Sequence, residues 1–296
     1  MTKFRVSDDE RSFGSAELLE SANALSPNAI TGLRSINDEF ENVDMDDNAY
    51  EELTAKCQDV IARDGSLHIS AVSPATKTLL DKIPLRDGWK ESLALLTDKS
   101  IPMYIFSSGY GDVVAQTLIL NGISQGSQHR HQGPPSLPQN IRIISNFFRT
   151  APDGSVRAFS QPIVHERNKN ATTAIRSMGM PIPDRPYAII IGSHEDDVMM
   201  TDGLGTIPNS YLSSLSSSSS SSSSLKETIK IGFLELCQNL PERLGTFLNT
   251  YDAVIIGDSN FQYIKTLLEE ILGTEAPKER GRFNLFDKVS GGVDIF

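Results

Sequence analysis

Four short apolar runs, IPMYIF at 101–106, IRIIS at 141–145, YAIII at 187–191 and DAVII at 252–256, are separated by stretches of helical period. Runs of this length, alternating with amphipathic segments, read as strands of a parallel sheet connected through helices. The 296 residues, 39% of them hydrophobic, are enough to bury one large α/β domain or a core with a smaller companion. The first part of the chain has another character. From Ala16 to Ala71 the period is helical, and Leu25-Ser26 predicts the start of a helix carrying Ile30, Leu33, Ile36 and Phe40 on one face. The expected organisation is a mostly helical domain over 1–84 and a Rossmann-like core over 85–296.

Two polar segments interrupt the core. One is ISQGSQHRHQGPPSLP at 123–138; the other, at about 205–224, includes the unbroken run Ser216 to Ser224. Neither can bury apolar area, so both are expected as surface excursions. His129 and His131 have no further ligands at metal spacing and read as loop residues. The carboxylates between Asp38 and Glu52, among them Asp44, Asp46 and Asp47, lack the glycine-centred pattern of a calcium loop and read as a solvated helical face.

The balance of 27 basic against 38 acidic residues gives a formal charge of −11, which repels a phosphate backbone and argues against nucleic acid as a partner. No apolar run approaches the roughly 20 residues needed to cross a bilayer. The opening residues MTKFRVSDDE contain no apolar leader. A cytoplasmic protein without a membrane partner is expected, with Cys57 and Cys237 as reduced, buried thiols.

Ligands of an open parallel sheet gather beyond the carboxyl ends of its strands. The first run continues there as SSGYGD: Ser107 offers a hydroxyl, and the amides of Ser108 and Gly109, near a helix start, are placed to point at an anion. An ordinary Ser-Gly turn is the alternative reading. In VHERNKNATTAI, Lys169 precedes a helical stretch, where an ammonium can neutralise a phosphate and offset its repulsion from a nucleophilic carboxylate. In YAIIIGSHEDDVMMTDG the strand runs into Gly192 and then Glu195, Asp196 and Asp197, where an oxygen-loving cation would be held. Strand-end serine, lysine and strand-end acids, in that order, form a layout for phosphoryl transfer.

From about Ser12 to Leu272 the chain resembles the cytosolic 5'-nucleotidase III (pyrimidine 5'-nucleotidase) family of the haloacid dehalogenase (HAD) superfamily. The stretches that carry the resemblance are LRDGWKESL, IPMYIFSSGYGDVV, IRIISNFF, VHERNKNA, YAIIIGSHEDDVMMTDG, IKIGFLE and YDAVIIGD. It implies an α/β fold: a HAD-like Rossmannoid core, its parallel sheet flanked by helices, with a helical cap. The implied activity is magnesium-dependent release of phosphate from nucleoside 5'-monophosphates. Ser107 matches the family's phosphate-binding serine, Ser108 and Gly109 its neighbours, and Lys169 the phosphate-neutralising and catalytic lysine. Asp197 matches the second acid of the metal loop. A base-selecting acid on the cap would correspond only loosely to Glu51 or Glu52.

The sequence also departs from the family pattern. The family's aspartyl nucleophile lies in a D-x-D-x-T strand motif that is not found here. Asp8, after Phe4-Arg5-Val6, is a degraded candidate; Asp44-x-Asp46 has the spacing but lies in a helix-like stretch. The strand that bears the motif runs mid-sheet, and its loss would leave neighbouring backbone groups unpaired at about 1–3 kcal/mol each. The expectation is therefore that the physical protein begins upstream of Met1. After Gly192 stands Ser193 where the family has aspartate, a poor substitute around magnesium. Ile255-Ile256-Gly257-Asp258-Ser259 is an alternative metal loop, although its position matches the family's last strand. The competing functional expectation is a catalytically impaired nucleotide-binding protein.

Overall fold

A computed structural model of the chain describes residues 5–7, 10–124, 136–180, 182, 185–204, 227–237, 239–257 and 260–273. His129, His131, the serine run, Asp8, Asp258 and Ser259 lie outside the described residues. A short antiparallel pair, β1 (Arg5–Ser7) and β2 (Glu10–Arg11), leads into four helices: α1 (Ser15–Ser21), α2 (Pro27–Phe40), α3 (Asp47–Asp64) and α4 (Ile69–Thr78). The chemistry at their ends explains their limits. Ser26 Oγ accepts the Ala29 amide at 3.1 Å and Pro27 opens α2, where its missing N–H costs nothing. The same hydroxyl donates to Asp64 at 2.6 Å, which ties the start of α2 to the end of α3.

Asp46 caps α3 by accepting the Ala49 amide at 2.8 Å, and Gly65, at φ 63°, closes that helix in the left-handed conformation. The Asp44-x-Asp46 pair is thus a solvent-exposed turn and helix cap. Leu18, Leu19, Leu33, Ile61 and Val72 form a core under these helices, and Tyr110, Phe148, Val156 and Phe159 complete it. The last three belong to the antiparallel hairpin β5 (Phe148–Thr150) and β6 (Val156–Phe159), whose Val156 amide donates to the Leu67 carbonyl at 2.8 Å. The packing of the helical layer therefore extends beyond residue 84.

The apolar runs read from the sequence are strands. β3 (Met103–Tyr110) pairs in parallel with β4 (Ile141–Asn146), Ile105 opposite Ile143. β7 (Tyr187–Gly192), β8 (Glu227–Leu234) and β9 (Ala253–Ile256) form a second parallel set in that order. Around them lie α5 (Trp89–Asp98), α6 (Gly111–Leu120), α7 (Ala171–Met178), α8 (Leu240–Thr250) and α9 (Gln262–Ile271).

One apolar cluster unites the two sheets: Met103, Ile105, Ile141, Ile189, Ile231 and Phe233 pack with Trp89, Leu93, Phe261, Ile264 and Leu268. A fully buried side chain of this kind contributes about 1.5–3 kcal/mol. Among the described residues β3 and β7 are both edge strands, and β3 stays half-buried from Met103 to Gly109, unlike an interior parallel strand. Cys57 and Cys237 are free and half-buried, so the expectation of fully buried thiols is corrected: Cys57 rests at the margin of the helical core, and Cys237 lies near the surface beside Asn239. No described helix is long and apolar enough to cross a membrane.

Candidate active site

The tip of β3 is held by its neighbour strand. Ser145 and Asn146, buried at the end of β4, fix its carbonyls: Ser145 Oγ donates to the Gly109 carbonyl at 2.8 Å and Asn146 Nδ2 to the Ser108 carbonyl at 2.7 Å. The same Asn146 amide spans to Val164, donating to its carbonyl at 2.8 Å and accepting its N–H at 3.0 Å. One side chain thereby sets the distance between the β3 tip and the segment carrying Lys169. Ser107 Oγ accepts the Gly109 amide at 3.2 Å, and Ser15 at the start of α1 accepts the Tyr110 amide at 2.8 Å. A Cβ on Gly109 would stand 2.6 Å from the Ser15 hydroxyl, so this close approach requires glycine.

Lys169 follows the single-turn helix Glu166–Asn168 and precedes Asn170, which caps α7 by accepting the Thr173 amide at 3.0 Å. Its ammonium is buried between two carboxylates, donating to Glu166 and, at 3.2 Å, to Asp197. Burial works to lower the Lys169 pKa, but the opposed charges of Asp197 and Glu166 outweigh it and the net direction is upward. Lys169 is therefore a fixed cation at neutral pH. For Glu166 burial pushes upward, and Lys169 together with the Ser108 hydroxyl brings its carboxyl below the ordinary value.

Asp197 lies in the 3-10 helix Glu195–Thr201 after β7. Its second oxygen accepts the amides of Ser193 at 2.8 Å and His194 at 3.1 Å, which folds the loop back onto the carboxylate. Gly192 lets this happen: a Cβ there would meet the Tyr251 hydroxyl at 2.4 Å and Asp197 Cβ at 2.5 Å. Tyr251 in turn donates to the His194 carbonyl at 2.5 Å.

Ser108, Lys169 and Asp197 therefore stand in one contact chain through Glu166, with Ser107 and Gly109 joined to it along the β3 backbone. Glu51 and Glu52 are exposed on α3. Beside them Tyr50 stacks on His165 with ring centroids 6.1 Å apart and planes within 7°. His165 is buried with Nδ1 unpartnered, and burial lowers its pKa against the pull of Glu51 and Asp47. Sequence reading missed Glu166, Asn146, Ser15 and His165. Asn146, His165 and Glu166 lie inside quoted stretches, but only their contacts with other elements give them roles.

Magnesium belongs to the resemblance, and the donor set here does not complete a shell for it. Asp197 has both oxygens engaged, one by an ammonium, and Ser193 offers a neutral hydroxyl. Among the described residues no three His, Cys, Asp or Glu side chains are grouped to hold an ion. At the alternative loop after β9, the Gly257 carbonyl accepts from Arg86 at 3.3 Å.

Comparison with known proteins places the chain as a whole among 5'-nucleotidases. The 7-methylguanosine phosphate-specific 5'-nucleotidase of Gallus gallus is 27% identical over 191 residues, 64% of this chain and 55% of that protein. The Homo sapiens protein of the same name is 26% identical over 189 residues, 64% of this chain and 52% of its own length. The chain thus spans about half the length of the curated relatives it matches. The crystal structure of cytosolic 5'-nucleotidase IIIB bound to cytidine superposes with a TM-score of 0.68 at 20% identity, covering 92% of this chain and 82% of that one, and establishes the fold. Residues 1–272 match the model of the pyrimidine 5'-nucleotidase (UMPH-1) family, and the chain belongs to that family.

Proposed function

We propose that the chain binds nucleoside 5'-monophosphates by their phosphate at the corner between the β3 tip, Lys169 and Asp197, and acts as a cytoplasmic 5'-nucleotidase. The observation that carries this reading is the buried ammonium of Lys169, fixed by Asp197 beside the Ser108 hydroxyl. Ser107, Ser108 and Gly109 would position phosphate oxygens, and Lys169 would stabilise the charge that builds up on them during transfer. The helical layer over 1–84 would act as the cap. Tyr50 of this layer, stacked on His165, would offer an aromatic edge toward a base. The family description favours a pyrimidine, whereas the named relatives act on 7-methylguanosine phosphate.

A second reading is a nucleotide-binding descendant without turnover. It is favoured by Ser193 and by the lack of a D-x-D-x-T stretch in the sequence.

Phosphate release from UMP, CMP, 7-methylguanosine monophosphate and AMP with magnesium, measured beside nucleotide binding by calorimetry, separates the readings. Turnover above a Lys169→Met control is expected for at least one nucleotide. Binding without turnover, lost in Lys169→Met, would establish the second reading, and absence of both would end the phosphate assignment. Ser193→Asp adds the carboxylate that the corner lacks and should tighten magnesium binding. Unchanged affinity would show that another acid already fills that place.

A further inference from the structure

The groups assigned to phosphate are already in contact with a carboxylate of this chain. Ser108 Oγ donates to one oxygen of Glu166, and Lys169 Nζ donates to the other. A carboxylate oxygen pair and two oxygens of a phosphate make the same demands on a hydroxyl and an ammonium. Lys169 therefore faces two carboxylates at a buried position, and an incoming phosphate would add a third anion around one cation. One carboxylate must give way.

The structure distinguishes between them. Asp197 is anchored by the Ser193 and His194 amides and its side chain is 6% exposed; that of Glu166 is 33% exposed at the first residue of a three-residue turn. Asp197 is the fixed counter-ion and Glu166 the exchangeable one.

We propose that Glu166 is an internal occupant of the anion site, which a phosphate must displace in order to bind, so that this residue sets the affinity threshold of the pocket. The inference rests on the phosphate reading above and adds to it a competing side chain. In the displaced state Glu166 turns to solvent, and Ser108 and Lys169 pass to the phosphate oxygens.

The test is binding of inorganic phosphate, by calorimetry, to the parent chain and to Glu166→Gln, Glu166→Ala and Lys169→Met, with thermal melts to confirm folding. Glu166→Gln and Glu166→Ala should bind phosphate about tenfold more tightly, since a charge-assisted competitor has been removed. Formate supplies the missing carboxylate from solution, so it should weaken phosphate binding more in Glu166→Ala than in the parent, an effect that a purely structural role would not produce. Unchanged or weaker phosphate binding in both Glu166 variants, with binding lost in Lys169→Met, would overturn the inference and leave the phosphate reading intact. Parent-like binding in Lys169→Met, or no binding in any form, would remove the phosphate reading and the inference together.

Discussion

Among the described residues two cations are buried near strand ends, Lys169 at 8% and Arg86 at 1% exposure, and they serve opposite ends. Arg86 lies over the Phe233 ring, Cζ 4.2 Å from its centroid, and donates to the Gly257 carbonyl after β9. An aromatic face and a backbone carbonyl are permanent fixtures of the core, so that guanidinium acts as a structural strut. Lys169 is held by two carboxylates, one of them a third exposed on a short turn. Depth of burial is similar; the contacts named for Arg86 are a ring and a backbone carbonyl, and those for Lys169 are carboxylates. A buried cation is available to a ligand when its counter-charge can leave, and it belongs to the fold when its partners cannot.

The largest effect that would sharpen this contrast is on turnover. Lys169→Met should lower kcat/KM for the best nucleotide a few hundredfold, roughly 3–4 kcal/mol of transition-state stabilisation. Its melting temperature should change little, because Glu166 can turn to water and Asp197 keeps two amide donors. Arg86→Met should do the reverse, costing about 2–3 kcal/mol in denaturant unfolding through a carbonyl left unpaired and lost stacking, with kcat per folded molecule retained. Lost turnover at unchanged stability in Arg86→Met would break the comparison.

Smaller effects follow from the loop that fixes Asp197. Gly192→Ala should destabilise by about 1–2 kcal/mol and weaken phosphate binding, since the added Cβ pushes on both Tyr251 and Asp197. Parent-like stability and binding would show that the loop has room to shift.

The smallest effect lies far from either cation, at Asp64. The Ser26 and Ser66 hydroxyls hold its carboxyl below the 3.8 of a free aspartate. Its contribution to stability is therefore present above that value and lost as pH falls through the lower folded one. Asp64→Asn should flatten the acid side of the melting-temperature profile, and an unchanged profile would show that these hydrogen bonds carry no net stability.

Much of the fold was legible because its signals are local. The apolar runs at 101, 141, 187 and 252 become β3, β4, β7 and β9, and Ser26 caps α2 where the sequence places a cap. The helical period of Ala16 to Ala71 becomes α1 to α4. β8 was noted only through the IKIGFLE resemblance, although the alternation of Thr228-Ile229-Lys230-Ile231-Gly232 is itself a strand signal. The hairpin of β5 and β6 escaped notice, although it closes the core beneath the helices. At the candidate site, Lys169 and the β3 tip were singled out from order along the chain. Glu166 was not: a glutamate three residues before a lysine is common on any surface, and only the contact of Ser108 with it gives the pair a meaning.

By itself the sequence determined four of the strands, the helical period of the first part, the tip at Ser107 to Gly109 and the family, since these rest on periodicity, backbone freedom and motif order within short windows. Tertiary structure alone decided which charges meet. Asn146 bridges the β3 tip to Val164, Asp197 turns back on its own loop amides, Glu166 meets both Ser108 and Lys169, and Arg86 finds Phe233 across the core. Such pairings join residues far apart in the chain, and their strength depends on the water excluded around them, a quantity that no stretch of sequence contains.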